Sequence, residues 1–303
     1  MLPQAKHDLF ETLIGKFPNN KIREILLAAE NLKVCRTLVD ELELSAFVDL
    51  LEKHGLYIAI YDQKFICQKD AGKGGWISQY GIQVPIEVGH GLFMVYIASS
   101  PQNALDAMRQ EHSQDDRAFG DLLAIPTCCS DFYVKHIDAA LACQNDYLSF
   151  VVKNTSAGQP YSFWNNIAAQ YFDGSLISFY PCSFNCKAAE HVSKESYQIL
   201  CRYSEVWASE FIHKHKSNII YTEYEGIYLL EDSIFDGTQI LYDNKRITST
   251  MDGVIFNALS RGNTLKVNNV HSGDIFIGQE HVSSMDSDTL NLLIFNKGGN
   301  EVE

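Results

Sequence analysis

The chain has 303 residues, 46% of them apolar and 20% charged, and 24 Lys and Arg stand against 38 Asp and Glu for a formal net charge of −14. That length and mixture suit one large or two modest globular domains. The densest basic spot is only His213-Lys-His-Lys216, so the clustered cations that neutralise phosphates are missing, which argues against nucleic-acid binding and against docking on an anionic membrane.

No run approaches the roughly 18 apolar residues of a spanning helix. The first residues, Met1-Leu-Pro-Gln-Ala-Lys-His-Asp8, lack the apolar core of a signal peptide. A cytoplasmic protein is therefore expected. Thiols stay reduced in that compartment, so clustered cysteines point to metal binding or reactivity rather than to disulfides.

Residues 1–55 read as a helical N-terminal region. Leu9, Phe10, Leu13 and Ile14, then Ile22, Ile25 and Leu26, then Leu44, Phe47, Val48 and Leu51 keep helical spacing. Cys35, between these runs, reads as core. Residues 56–217 read as a mixed α/β core. Leu56–Tyr61 and Lys64–Cys67 predict a paired hairpin across Asp62-Gln63, followed by a loop with Gly72, Gly74 and Gly75. That loop lacks the spacing of a phosphate-binding loop. Val84–Val88 and Leu92–Ala98 predict strands joined at Gly89-His-Gly91, the second apolar enough to be buried on both faces. Helices follow over Ala104, Leu105 and Met108 and from about Asp115 to Leu123. His90, at the turn, is the histidine to watch.

Next comes Pro126-Thr-Cys-Cys-Ser-Asp-Phe-Tyr133, echoed at Tyr180-Pro-Cys-Ser-Phe-Asn-Cys186. Pro126 ends the preceding element, and Ser130 or Asp131 is a plausible cap for a helix through Phe132, Val134, Ile137 and Leu141. Ser183 or Asn185 can cap the helix that carries Ala188, Val192, Ile199 and Tyr203. Both windows thus sit at helix starts, where unpaired N–H groups and the positive dipole end favour thiolate. Brought together, Cys128, Cys129, Cys182 and Cys186 make a four-sulfur site. Between the windows, Asp146–Val152 and Gly174–Tyr180 predict strands, which would place Cys182 just beyond a strand end. His136 and His191 lie on the wrong faces, or too far along their helices, to join the cysteines. Asp131, Asp138, Glu190 and Glu195 read as solvated helix faces. His213 and His215 suit the negative end of a helix dipole.

The run Asp121-Leu-Leu-Ala-Ile-Pro-Thr-Cys-Cys-Ser-Asp-Phe132, followed by Pro181-Cys-Ser-Phe-Asn-Cys186, resembles an uncharacterised group, domain-of-unknown-function family 483. The likeness covers about residues 100–215. Thr127 stands where that pattern has an acid, and Tyr180 where it has histidine. The resemblance implies that the two windows act together and brings no reaction with it.

Residues 218–298 predict a β-rich C-terminal domain. Short runs start at Asn218, Gly226, Gln239, Gly253, Thr264, Asp274 and Asn291 and are punctuated by Asp-Gly and similar turns, as in an all-β barrel or sandwich. Gly298–Glu303 reads as a frayed tail.

The leading reading is an enzyme acting on a small molecule, with an iron–sulfur cluster or zinc on Cys128, Cys129, Cys182 and Cys186. Adjacent cysteines should chelate one zinc ion awkwardly, which tilts the expectation towards iron–sulfur. Alternatively, three cysteines bind metal and Cys128 or Cys129 stays free as a catalytic nucleophile. A metal-free thiol enzyme, with Cys128 or Cys129 attacking and Cys182 or Cys186 resolving, is the second reading. The third is a non-enzymatic protein-binding module with structural cysteines.

Overall fold

A computed structural model describes residues 3–70, 73, 76–87, 89–142, 147–156 and 158–296. By contacts the chain divides into two compact units. One comprises Met1–Lys69, Ile77–Asn145 and His191–Trp207, the other Asp70–Trp76, Asp146–Glu190 and Ala208–Glu303.

The first unit opens with α1 (Pro3–Leu13) and α2 (Asn19–Ala29), then β1 (Cys35–Asp40) and α3 (Leu44–Lys53). The expected helices are there, but the Cys35 run is a strand. β2 (Tyr57–Asp70), β3 (Trp76–Val84) and β4 (Leu92–Ala98) complete a sheet of order β1-β4-β2-β3. The expected hairpin across Asp62-Gln63 is instead one long strand, whose register against β4 shifts between Ile60 and Lys64. The loop expected over 68–81 is largely strand, in β2 as far as Asp70 and in β3 from Trp76, while Gly72, Gly74 and Gly75 lie outside the described residues; the strand expected over 84–88 does not form, since β3 ends at Val84 and 85–87 are not strand. β4 is buried almost throughout, as its composition predicts, because it lies between β1 and β2. Met94, Tyr96 and Val95 are fully buried, each contributing about 1.5–3 kcal/mol on removal from water.

α4 (Pro101–His112) starts where Pro101 can continue a helix but not a strand, and Ser100 Oγ caps it by accepting from the Asn103 N–H. α5 (Asp116–Leu122) is capped by Asp115, which accepts from the Ala118 N–H. Ala124, in the left-handed region at φ 53°, turns the chain, and the Ile125 N–H closes back onto Gly120 O. α6 (Thr127–Ala142) then begins at once. A side chain at Gly120 would come within 2.6 Å of Ser130 Oγ, so the missing Cβ lets α5 pack closely on the first turn of α6.

The second unit contains α7 (Leu148–Asn154), β5 (Tyr161–Ser162) and two 3-10 turns, Phe163–Asn165 and Ile167–Phe172. Two strands expected here are absent. In place of the strand expected over 146–152, the residues from Leu148 onward form α7, and 174–186 is irregular. α8 (Lys187–Tyr203) and α9 (Glu205–His215) each contribute residues to both units. They are separate helices because Ser204 Oγ accepts from the Trp207 N–H and starts a new one.

The remainder runs β6 (Asn218–Thr222), β7 (Ile227–Leu230), β8 (Ile234–Phe235), β9 (Gln239–Leu241), β10 (Ile247–Ser249), α10 (Val254–Arg261), β11 (Thr264–Asn269), β12 (Ser272–Ile277), β13 (Glu280–Asp286), β14 (Leu290–Leu293) and β15 (Phe295–Asn296). Sheets β10-β7-β6-β14 and β13-β12-β11-β9-β8 stay open, and neither closes into a barrel. Nor is this region all-β, since the expected strand at Gly253 is α10. The two sheets and α10 bury one apolar cluster that includes Tyr228, Leu230, Leu259, Leu265, Ile275 and Leu292. The chain as a whole is a mixed α+β protein, as expected at that coarse level. The expected tail, Gly298–Glu303, lies outside the described residues.

Candidate metal centre

The four predicted cysteines come together. The Sγ atoms of Cys128, Cys129, Cys182 and Cys186 all lie within 4.8 Å of one another. This is the only group of three or more His, Cys, Asp or Glu among the described residues with that geometry, and no histidine or carboxylate joins it.

Cys128 and Cys129 occupy the first turn of α6. Pro126 acts as its starting residue, with its carbonyl accepting from the N–H groups of Cys129 (2.7 Å) and Ser130 (3.0 Å). The cap is therefore backbone, not Ser130 or Asp131 as the sequence suggested; Asp131 pairs with Arg117 at 2.7 Å. The two sulfurs of the doublet approach to 3.9 Å. Cys129 is 1% exposed, whereas Cys128 faces solvent.

The second window is not the end of a strand. It is an irregular segment whose shape is set by hydrogen bonds to its backbone. Asn154 Nδ2 donates to Cys182 O at 2.6 Å, and the Phe184 N–H donates to Thr155 Oγ1 at 3.0 Å. Asn165 Nδ2 donates to both Phe184 O (2.9 Å) and Cys186 O (3.0 Å). Phe184 itself is buried and stacked on Tyr161 at 4.9 Å. Cys186 stands immediately before α8, and its carbonyl accepts from the Glu190 N–H. Asn185 does not cap that helix; its Oδ1 accepts from the Ser162 N–H. Two helix starts thus deliver cysteines to the cluster, each with the positive end of its dipole, which favours negative charge there by about 0.3–1 kcal/mol per helix.

The other expected residues fall elsewhere. His90 pairs with Asp40 at 3.2 Å. His136 packs on the Phe132 ring at 4.8 Å, where burial and then Lys135 push its pKa down. His191 is absent from the cluster, as predicted. Glu190 is not a solvated residue: its carboxylate accepts from Lys187 Nζ at 2.9 Å and Ser162 Oγ at 3.4 Å, and its side chain is 13% exposed. Cys35 is fully buried, and burial drives its thiol pKa far up, as befits a packing residue. His215 does more than complement a dipole. It is fully buried, accepts from the Leu176 N–H at Nε2 (2.8 Å) and meets Phe163 O through Nδ1 (2.9 Å).

Sequence reasoning missed the supports Asn154, Thr155, Asn165 and Asn166. Asn166 Nδ2 donates to His215 O at 3.0 Å. Two adjacent asparagines inside an aromatic, apolar stretch were the available signal, because buried amides must find partners.

Fold and site together define a mixed α+β protein with a tetracysteine cluster able to hold a metal. No family model, curated protein or solved structure matches the chain. No helix among the described residues is long and apolar enough to cross a membrane.

Proposed function

We propose that Cys128, Cys129, Cys182 and Cys186 hold one tetrahedral zinc ion in an enzyme acting on a small molecule. The spacing of the sulfurs carries this reading: all four lie within 4.8 Å, and the doublet pair is 3.9 Å apart. With zinc–sulfur bonds of about 2.3 Å, the edges of a tetrathiolate tetrahedron are about 3.8 Å. A four-iron cluster holds each cysteine sulfur on a different corner iron, outside a cube of iron and sulfide, and so farther apart than four sulfurs on one ion. The cysteines here would have to spread to take it. The doublet, expected to chelate a single ion poorly, already spans one edge of the smaller polyhedron.

Uneven burial supports chemistry over a purely structural role. Cys129 and Cys186 are buried and Cys182 is half-buried, while Cys128 is exposed. Four thiolates leave the ion no open position, so reactivity falls to the ligand that solvent and solutes can reach. Cys128 is that ligand, and a small molecule would meet the site at its sulfur. The resemblance of the two windows to family 483 fits a joint role and adds no reaction.

The test is metal and sulfide analysis of protein purified without oxygen. Zinc near one per chain with no acid-labile sulfide is expected. Iron with matching sulfide would overturn the single-ion reading. Absence of both would put metal-free thiol chemistry in its place.

A further inference from the structure

We propose that Cys128 is an oxidation site for hydroperoxides, and that its oxidation releases the metal through a Cys128–Cys182 disulfide. The inference rests on the single-ion reading above. Cys128 is the only exposed member of the cluster, and every other cluster sulfur lies within 4.8 Å of it. Susceptibility to oxidation follows exposure and thiolate character, and metal coordination deprotonates a thiol outright.

The chemistry balances in two steps. The Cys128 thiolate attacks one peroxide oxygen, the O–O bond breaks, and the departing alkoxide or hydroxide takes a proton. The sulfur, oxidised by two electrons, becomes a sulfenic acid. The Cys182 thiolate then attacks that sulfur, the S–O bond breaks, and hydroxide leaves as water after taking a proton. In sum, two thiolates, one hydroperoxide and two protons give a disulfide, an alcohol or water, and a water.

Cys182 is the partner of choice for geometric reasons. Neighbouring Cα atoms are about 3.8 Å apart, short of the roughly 4.4–6.8 Å that disulfides span. A Cys128–Cys129 bond would therefore distort the first turn of α6. Cys186 is 8% exposed, and its carbonyl is tied to Asn165 Nδ2 and the Glu190 N–H. Cys182 is half-buried and lies in an irregular segment. Loss of two of the four thiolates leaves the ion without its tetrahedron.

Zinc-loaded protein is treated with equimolar hydrogen peroxide, released zinc is read with a chromogenic chelator, and disulfides are mapped by mass spectrometry. Zinc should leave in step with a Cys128–Cys182 bond, and Cys128→Ser should slow release by roughly tenfold or more, since reactivity tracks exposure. Zinc retained under peroxide, or release at the unaltered rate in the variant, overturns the proposal. Zinc content before peroxide tests the single-ion reading separately: a protein that never holds zinc overturns that reading. Should Cys128→Ser hold too little zinc for the comparison, alkylation of the unaltered zinc-loaded protein with iodoacetamide decides. Cys128 should be labelled first in the cluster, and earlier labelling of Cys129 or Cys186 overturns the proposal.

Discussion

Asn165→Ala separates support of the metal centre from general stability. Asn165 is fully buried, and its Nδ2 bridges the carbonyls of Phe184 and Cys186 at 2.9 and 3.0 Å. Two lost hydrogen bonds cost about 1 kcal/mol each. The Cys186 carbonyl keeps its bond from the Glu190 N–H, which limits the further penalty to the Phe184 carbonyl. In the other direction, Asn165 Oδ1 is buried with no hydrogen-bond partner among the described residues, and deleting it removes a desolvation cost of about 1 kcal/mol or more. The metal-free protein should therefore lose only about 1–2 kcal/mol. Zinc affinity should fall further, about 10–100-fold, the usual effect of removing a group that orients a ligand. The assay combines chelator competition for zinc with urea unfolding of the zinc-loaded and zinc-free protein. The extra destabilisation of the loaded form must equal the loss in affinity, because both legs belong to one thermodynamic cycle. An unchanged zinc affinity beside a lowered stability would refute the claim that Asn165 positions Cys186.

Replacing the doublet one residue at a time should be unequal. Cys129→Ser should lose zinc and more than about 3 kcal/mol of stability, as loss of a buried ligand does, while Cys128→Ser keeps zinc at lower affinity; equal melting temperatures and zinc contents in the two variants would contradict this. His215→Leu leaves the Leu176 N–H and the Phe163 carbonyl without their buried partner and should cost about 2–4 kcal/mol in urea unfolding, with the zinc stoichiometry of the folded protein unchanged. Asp236 is held at about 2, below its ordinary 3.8, chiefly by the Thr238 backbone N–H and then by that of Gln239. Because the folded-state value is depressed, its contribution to stability is complete above about pH 4 and lost as pH falls towards 2. An NMR titration of the Asp236 carboxyl should show a midpoint near 2, and a midpoint at 3.8 would contradict the turn geometry.

Local patterns were legible where one force dominated. The Leu92–Ala98 run reads as a doubly buried strand because little else tolerates seven apolar residues between turns. The helices expected over Ala104–Met108 and from about Asp115 are α4 and α5, and Ser100 and Asp115 cap them. Short apolar runs failed for the complementary reason: periodicity cannot separate a buried helix from a strand over six or seven residues. So Leu148–Val152 fell in α7, and the run beginning at Gly253 became α10. The segment 174–180 looks strand-like, yet its backbone bonds to side chains, with Leu176 donating to His215 and Ile177 to Ser175 Oγ.

The cysteine windows could be picked out, but not their meeting, since fifty-two residues separate Cys129 from Cys182. Nor was the 3.9 Å approach of the doublet sulfurs visible. Successive helical side chains diverge by about 100° at Cβ, and it takes the side-chain rotamers to bring the sulfurs back together. The role of Asn165 was hidden for a similar reason, as its partners lie about twenty residues away and are carbonyls rather than side chains.

X-ray absorption at the metal edge of anaerobically purified protein tests the central claim most directly. One zinc per chain should show four sulfur neighbours at about 2.3 Å and no second metal nearby. A shell with an iron neighbour and bridging sulfide, or a protein with no stoichiometric metal at all, would contradict it.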